Sequence, residues 1–195
     1  MASVRIQCTY AVTFPTTNLA PLPLSAFDGR FVSLEVPLNY VYLFPSPTIA
    51  FPELAKTLKH SLAQALQSFH PFASELTHLS SSHTIAIALP ENGARFTFIE
   101  AKMDISLNGL LDAEELDKET LRLLVPDFLR NAGSGGVVVG MALHHAVADG
   151  HGLFHFLNTW TAATTGRSGS SNLNPLLYMT GTEVVKEAKA DPLKY

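Results

Sequence analysis

Apolar positions recur at every second residue over 4–14, where Val4, Ile6, Cys8, Tyr10, Val12 and Phe14 share one face. A period of two predicts a half-buried strand. Pro15, Pro21 and Pro23 follow, each without a backbone donor, so no central strand is expected in that loop. Residues 24–28 then lead into a second β-rich stretch. Within it, residues 39–44 carry aromatic and branched side chains and stop before Pro45, as a strand should. The period changes next. Leu54, Leu58, Leu62, Leu66 and Phe69 fall on one helical stripe, with Pro52 in the first turn and Pro71 as the stop.

Residues 84–89 and 95–100 read as two strands joined into a hairpin across Glu91-Asn-Gly93. Residues 112–124 form a helix candidate with its acids early, which suits the helix dipole. A Gly-rich turn over 131–136 precedes the apolar run 137–143, a buried strand that leads straight into His144 and His145. A short helix over 153–161 then puts Leu153, Phe154, Leu157 and Trp160 on one side. The pattern predicts an α/β class, a mixed sheet with flanking helices, in one domain over residues 1–165. Residues 166–195 read as a linker and an atypical, poorly ordered tail with few large apolar anchors.

Composition narrows the partners. Thirteen Lys and Arg against seventeen Asp and Glu give a formal charge of −4, which leaves no basic footprint for nucleic acid. No apolar run approaches the roughly 18–20 residues of a membrane span, so no membrane partner is expected. The single cysteine, Cys8, has no intramolecular disulfide partner, and the N-terminus lacks the compact apolar block of a secretory signal. Both point to a cytoplasmic protein.

One cluster can do chemistry: His144, His145, three small residues, then Asp149 and Gly150, at the junction of a buried strand and a helix. A histidine at a strand end faces the adjacent crevice, and imidazole titrates near neutral pH, which suits a general base. Asp149 either holds His145 or holds the turn that carries it. Gly150 is expected to take a φ that other residues avoid, letting the chain reverse into the helix. A pair of histidines in a turn serves as readily for scaffolding. His151 and His155 have i, i+4 spacing on the helix, but no Glu follows His151 as in a metalloprotease, so no metal site is expected. There is neither a Gly-x-Ser-x-Gly elbow nor a phosphate-cradling Gly loop.

At these residues the sequence resembles the BAHD family of plant acyl-CoA-dependent acyltransferases. His144-His145-Ala-Val-Ala-Asp149-Gly150 is similar to that family's His-x-x-x-Asp-Gly motif. Leu22-Pro-Leu-Ser-Ala-Phe-Asp28 resembles its early L-S-x-x-D stretch, and Tyr40-Val-Tyr-Leu-Phe44 the aromatic strand after it. Phe69-His-Pro-Phe-Ala-Ser-Glu-Leu76, the strand segment Arg95 to Asp104, and Leu124-Val-Pro126 match further family segments in the same order. The wording of residues 22–28 looks most like the malonyltransferases of phenolic glucosides and anthocyanins.

The resemblance implies one half of a two-domain, chloramphenicol-acetyltransferase-like fold. It implies His145 as the general base that takes a proton from a hydroxyl or amine as this attacks the thioester of an acyl-CoA. It gives Asp149 and Gly150 a structural role at the active-site loop, with Asp149 paired to an arginine, and makes His144 scaffold. Acyl-CoA, in the narrower reading malonyl-CoA, is a co-substrate and no cofactor is bound; the acceptor is a small phenolic or glycoside. Family members are about twice this length, and the Asp-Phe-Gly-Trp-Gly motif of their second half does not occur here. Two readings follow. In the first the chain is an acyltransferase, or its N-terminal half, completed by a C-terminal half or by self-association. In the second it is a truncated, inactive half-domain that acts as a binding or interaction module. Residues 127–133 are too short and polar to supply the strand that the family places beside its His-motif strand. An exposed edge along 137–143 is therefore expected.

Overall fold

The structure, a computed structural model, describes residues 4–16, 19–34, 37–44, 48–91, 93–104, 124–125, 128–132, 136–166 and 176–179. In chain order its elements are β1 (Val4–Thr13), β2 (Leu22–Pro23), α1 (Ala26–Leu34), β3 (Pro37–Phe44), α2 (Phe51–Ser68) and a 3-10 turn (His70–Ala73). There follow β4 (Glu75–Leu79), β5 (Thr84–Ala88), β6 (Arg95–Met103), β7 (Phe128–Ala132), β8 (Val137–His144), α3 (Gly150–Thr165) and β9 (Leu176–Met179). Among the described residues six strands form a mixed sheet in the order β1-β6-β7-β8-β3-β9, and β2-β5-β4 form a second, three-stranded sheet. The pairing β6/β7 is parallel, while β1/β6, β7/β8, β3/β8 and β3/β9 are antiparallel.

Alternation along the central strands explains why their sequences are apolar throughout. In β3, Tyr40 joins the core beneath the helices, whereas Val41 and Leu43 join a second core on the other side with Met103, Leu124 and Val125. In β8, Val137, Met141 and Leu143 belong to the first core and Val138 to the second. Both faces of the sheet are thus covered where β3 and β8 run. Burial pushes the phenol of Tyr42 well above its ordinary pKa, with Tyr40 adding to the effect, so β3 contributes neutral phenols to the interior.

The Leu stripe of α2 is observed as expected: Leu62 and Leu66 are fully buried with Ala55 and Ala65, and Leu54 and Leu58 pack against the same core. Helix α3 lies beside α2. Trp160 Nε1 donates to Leu58 O at 3.2 Å and to Ser61 Oγ at 3.0 Å, and Ser61 Oγ lies 2.8 Å from Thr164 Oγ1. Ser61 is thereby buried with its hydroxyl satisfied, the condition for a polar group in a core. Lys59 Nζ, 2.7 Å from Glu100 Oε1 and 3.5 Å from the centre of the Tyr10 ring, ties α2 to β1 and β6.

Several expectations are corrected. The β5/β6 hairpin does not form: β5 pairs with β4 across the turn at Ser80–His83, where His83 takes φ +52°, and β6 enters the other sheet. Pro90 and Gly93, the latter at φ +87°, carry the chain between sheets rather than reversing it in register. Residues 26–28 open helix α1 instead of a strand, because Ser25 caps it: Ser25 Oγ accepts from Asp28 N at 3.1 Å and donates to Asp28 Oδ2 at 2.6 Å. The edge expected along 137–143 is covered over Val137–Val139, where β7, in the short segment after Pro126, pairs with β8, Arg130 opposite Val138. The apolar face of β1 is covered only at its end. Val12 is buried while Ile6, Cys8 and Tyr10 are exposed, since β1 lies at the sheet margin. In α3 the buried position is Phe156 and not Phe154, because 153, 156, 157 and 160 follow the helical period more closely. Beyond α3, the backbone of β9 adds to β3 at the sheet edge, a pairing that needs only extended backbone and few apolar anchors. Of the helix expected over 112–124 all but Leu124 lies outside the described residues, as does the tail except for Gly166 and β9.

The two kinds of leucine give a test of this core. Leu62→Ala, at a fully buried site in α2, is expected to cost about 2–5 kcal/mol. Leu34→Ala, at the exposed end of α1, is expected to stay within about 0.5 kcal/mol. Urea midpoints of the two variants against the parent measure both.

Candidate active site

The site is built where β8 ends. Pro37 at the start of β3 stands opposite His144, so the neighbouring strand supports β8 up to its last residue. The chain then turns: Val147 N donates to His144 O at 2.9 Å, and Ala146 N donates to His144 Nδ1 at 3.1 Å. Both bonds tie His144 into the turn. Helix α3 starts immediately afterwards. Asp149 is its N-cap, with φ −86° and ψ −179°, and its Oδ1 accepts from Gly152 N at 2.7 Å. A carboxylate at this place satisfies an orphan amide and faces the positive end of the helix dipole.

His145 differs from its neighbour. Its side chain is half-buried, and its ring lies face to face on Phe31 of α1, centroid to centroid 4.0 Å and 6° from parallel. Phe27 backs Phe31 edge-on at 5.6 Å. His145 Nδ1 is the one buried side-chain nitrogen or oxygen among the described residues that lacks a hydrogen-bond partner. The ring is thus held by stacking, whereas the ring of His144 is bonded into the turn through its Nδ1.

The other candidates separate. Asp149 is exposed, and its oxygen caps α3 rather than reaching His145. Of the arginines that could serve as the partner the resemblance gives Asp149, Arg122 and Arg167 lie outside the described residues, as does the side chain of Arg130. Gly150 does not take the unusual φ expected of it: the extended Asp149 hands the chain directly into a right-handed turn, and a Cβ at Gly150 would meet nothing within 4 Å. The glycine with a steric reason is Gly152, where a Cβ would sit 3.3 Å from Asp149 Oδ1. Sequence reasoning missed it, and missed Phe31, although a small residue three places after an N-cap is a legible signal. His151 is exposed, and His155 is edge-on to Phe69 at 5.1 Å. No group of three or more His, Cys, Asp or Glu among the described residues is placed to hold a metal ion.

A family model described as the transferase family matches residues 4–192, nearly the whole chain. The chain belongs to this family, that of the BAHD acyltransferases. Among BAHD relatives, putrescine hydroxycinnamoyltransferase 3 of Oryza sativa subsp. japonica is 33% identical over 156 residues, covering 74% of this chain and 33% of its own length. Hydroxycinnamoyl-CoA:piscidic acid hydroxycinnamoyltransferase of Actaea racemosa is 25% identical over 182 residues, covering 87% of this chain and 40% of its own. The chain thus spans about a third to two fifths of the length of these curated relatives. The crystal structure of vinorine synthase superposes with a TM-score of 0.70 at 19% identity, over 88% of this chain and 46% of that one. TRI101 of F. sporotrichioides, solved with coenzyme A and T-2, gives 0.54 at 16% identity over 77% and 42%. The mixed sheet with flanking helices is therefore about half of the BAHD fold, as the resemblance implied. The relatives are not specifically malonyltransferases.

The cap geometry predicts an order of effects. Asp149→Ala is expected to lower stability by about 0.5–2 kcal/mol, and Asp149→Asn by far less, because Asn caps helices as well as Asp does. Gly150→Ala is expected to be tolerated and Gly152→Ala to destabilise. Thermal melts of the four variants check that ranking.

Proposed function

We propose that this chain carries the acyl-transfer chemistry of its family, moving an acyl group from an acyl-CoA to a hydroxyl or amine of a plant-type small molecule, with His145 as general base. The observation that supports it is a half-buried imidazole at the end of β8 whose Nδ1 has no hydrogen bond among the described residues, in a chain matched to the family from 4 to 192. His145 would take the proton of the acceptor as its oxygen or nitrogen attacks the thioester carbonyl. The tetrahedral oxyanion then collapses, the C–S bond breaks, and the imidazolium returns the proton to the departing CoA thiolate. The products are an ester or amide and free CoA. General-base help contributes about 10²–10⁴-fold, so the positioning of both substrates supplies the remainder. Asp149 holds the loop as the N-cap of α3 and relays no charge.

For the donor, residues 22–28 suggest malonyl-CoA, whereas the relatives' names speak of hydroxycinnamoyl and feruloyl groups and favour a hydroxycinnamoyl-CoA. A neighbour solved with coenzyme A supports an acyl-CoA of either kind. A second reading, the binding module, is favoured by the exposed Phe27 and Leu34 of α1. In the first reading a C-terminal half, or a second copy, completes the acceptor and CoA sites.

Release of free thiol decides between them. The chain, alone and co-expressed with a C-terminal half from a full-length relative, is given malonyl-, acetyl- and hydroxycinnamoyl-CoA with phenolic, glycoside and polyamine acceptors. We expect thiol release that falls by about 10²–10⁴-fold in His145→Ala. A folded chain that releases none with any donor, in either form, overturns the acyl-transfer reading and supports the binding module.

A further inference from the structure

We propose that Phe31 is the positioning residue for His145, its ring doing what a hydrogen bond does for the imidazole in other histidine-dependent sites. Imidazole rotates easily about its Cβ–Cγ bond, since such torsions are broad and nearly two-fold. Where histidine acts as a base, a partner on the far nitrogen usually fixes the ring. Here that partner is missing among the described residues. His145 Nδ1 is sealed from solvent without a hydrogen bond, and the carboxylate of the same turn has its Oδ1 on Gly152 N at 2.7 Å. What touches the ring is a phenyl face at 4.0 Å, tilted by 6°. Turning the imidazole out of that plane drives its edge into Phe31, so the stack fixes the plane in which the nitrogens lie.

The phenyl ring is itself held. Phe27 meets it edge-on at 5.6 Å. Helix α1, which carries both, is started by the reciprocal Ser25–Asp28 cap and has no fully buried residue. An otherwise lightly anchored helix is thus set against the sheet where its aromatic ring meets His145. The L-S-x-x-D stretch of the sequence acquires a physical purpose: it begins the helix at the residue that puts Phe31, three positions after Asp28, over the imidazole.

The kinetic arm of the test rests on the acyl-transfer reading; the spectroscopic arm does not. In the intact chain labelled at histidine, the signals of His145 are those that vanish in His145→Ala. Protons over a phenyl face are shielded, so these signals are expected upfield in the parent and in Phe31→Tyr, and at ordinary positions in Phe31→Leu, which keeps an apolar side chain. In turnover, Phe31→Leu is expected to lower kcat by roughly 10–100-fold, the scale of a misplacement near 1 Å. KM for donor and acceptor should not change, and Phe31→Tyr should restore the rate. His145 signals that do not move in Phe31→Leu overturn the proposal. So does a kcat that survives Phe31→Leu while the signals move. A parent chain that shows the shielding but transfers no acyl group overturns the enzymatic reading and still supports the ring-holding role.

Discussion

Everything at the site depends on β8 being fixed on four sides. It pairs with β3 over its whole length on one edge and with β7 over Val137–Val139 on the other, and its side chains enter a core on each face. A strand so held does not slide, because a shift by one residue would turn every side chain to the wrong core. Its last residue, His144, therefore has a defined place opposite Pro37, and so does the turn that begins there. The other end of that turn is fixed by Asp149 at the start of α3, and α3 is locked against α2 through Trp160, Ser61 and Thr164. His145 lies between these two anchors, its Nδ1 without a hydrogen bond among the described residues.

The segments that mark the family become physical devices in this light. Ser25 and Asp28 are the two halves of a helix cap, and that helix brings an aromatic ring to the imidazole. Tyr40 to Phe44 is the strand that seals one edge of β8. Arg95 to Met103 is the strand on which β1 and β7 both pair, and Leu124 and Val125 close the second core. Asp149 serves as an N-cap, a role that its sequence spacing left open against direct support of the base.

Legibility in the sequence followed how local the cause was. The stripe of α2, the strands β3 and β8 and the His-Asp turn were readable because periodicity and proline placement act within a few residues. The β5/β6 hairpin was misread since Glu91-Asn-Gly93 has hairpin wording, whereas β5 pairs with β2 and β4 and β6 carries Phe98 into the core beneath the helices. The strand β7 was missed because Arg130 and Asn131 make it polar, and only its two neighbours give its backbone a reason to extend. Phe31 was invisible for a related reason. Nothing near it in sequence announces a histidine more than a hundred residues on, and the contact exists only after β3 has been laid against β8.

The sheet order also sets a folding problem. Val4 pairs with Met103 and Thr13 with Arg95, so β1 emerges from the ribosome long before the strand that satisfies its amides. Synthesis runs at about 5–20 residues per second, which leaves β1 unmatched for several seconds, with Val12, buried in the folded chain, still uncovered. Architectures that close distant segments late are slow to form and prone to wrong partners meanwhile. A nascent chain of this design has reason to engage a chaperone early, before its first strand finds a neighbour on another polypeptide.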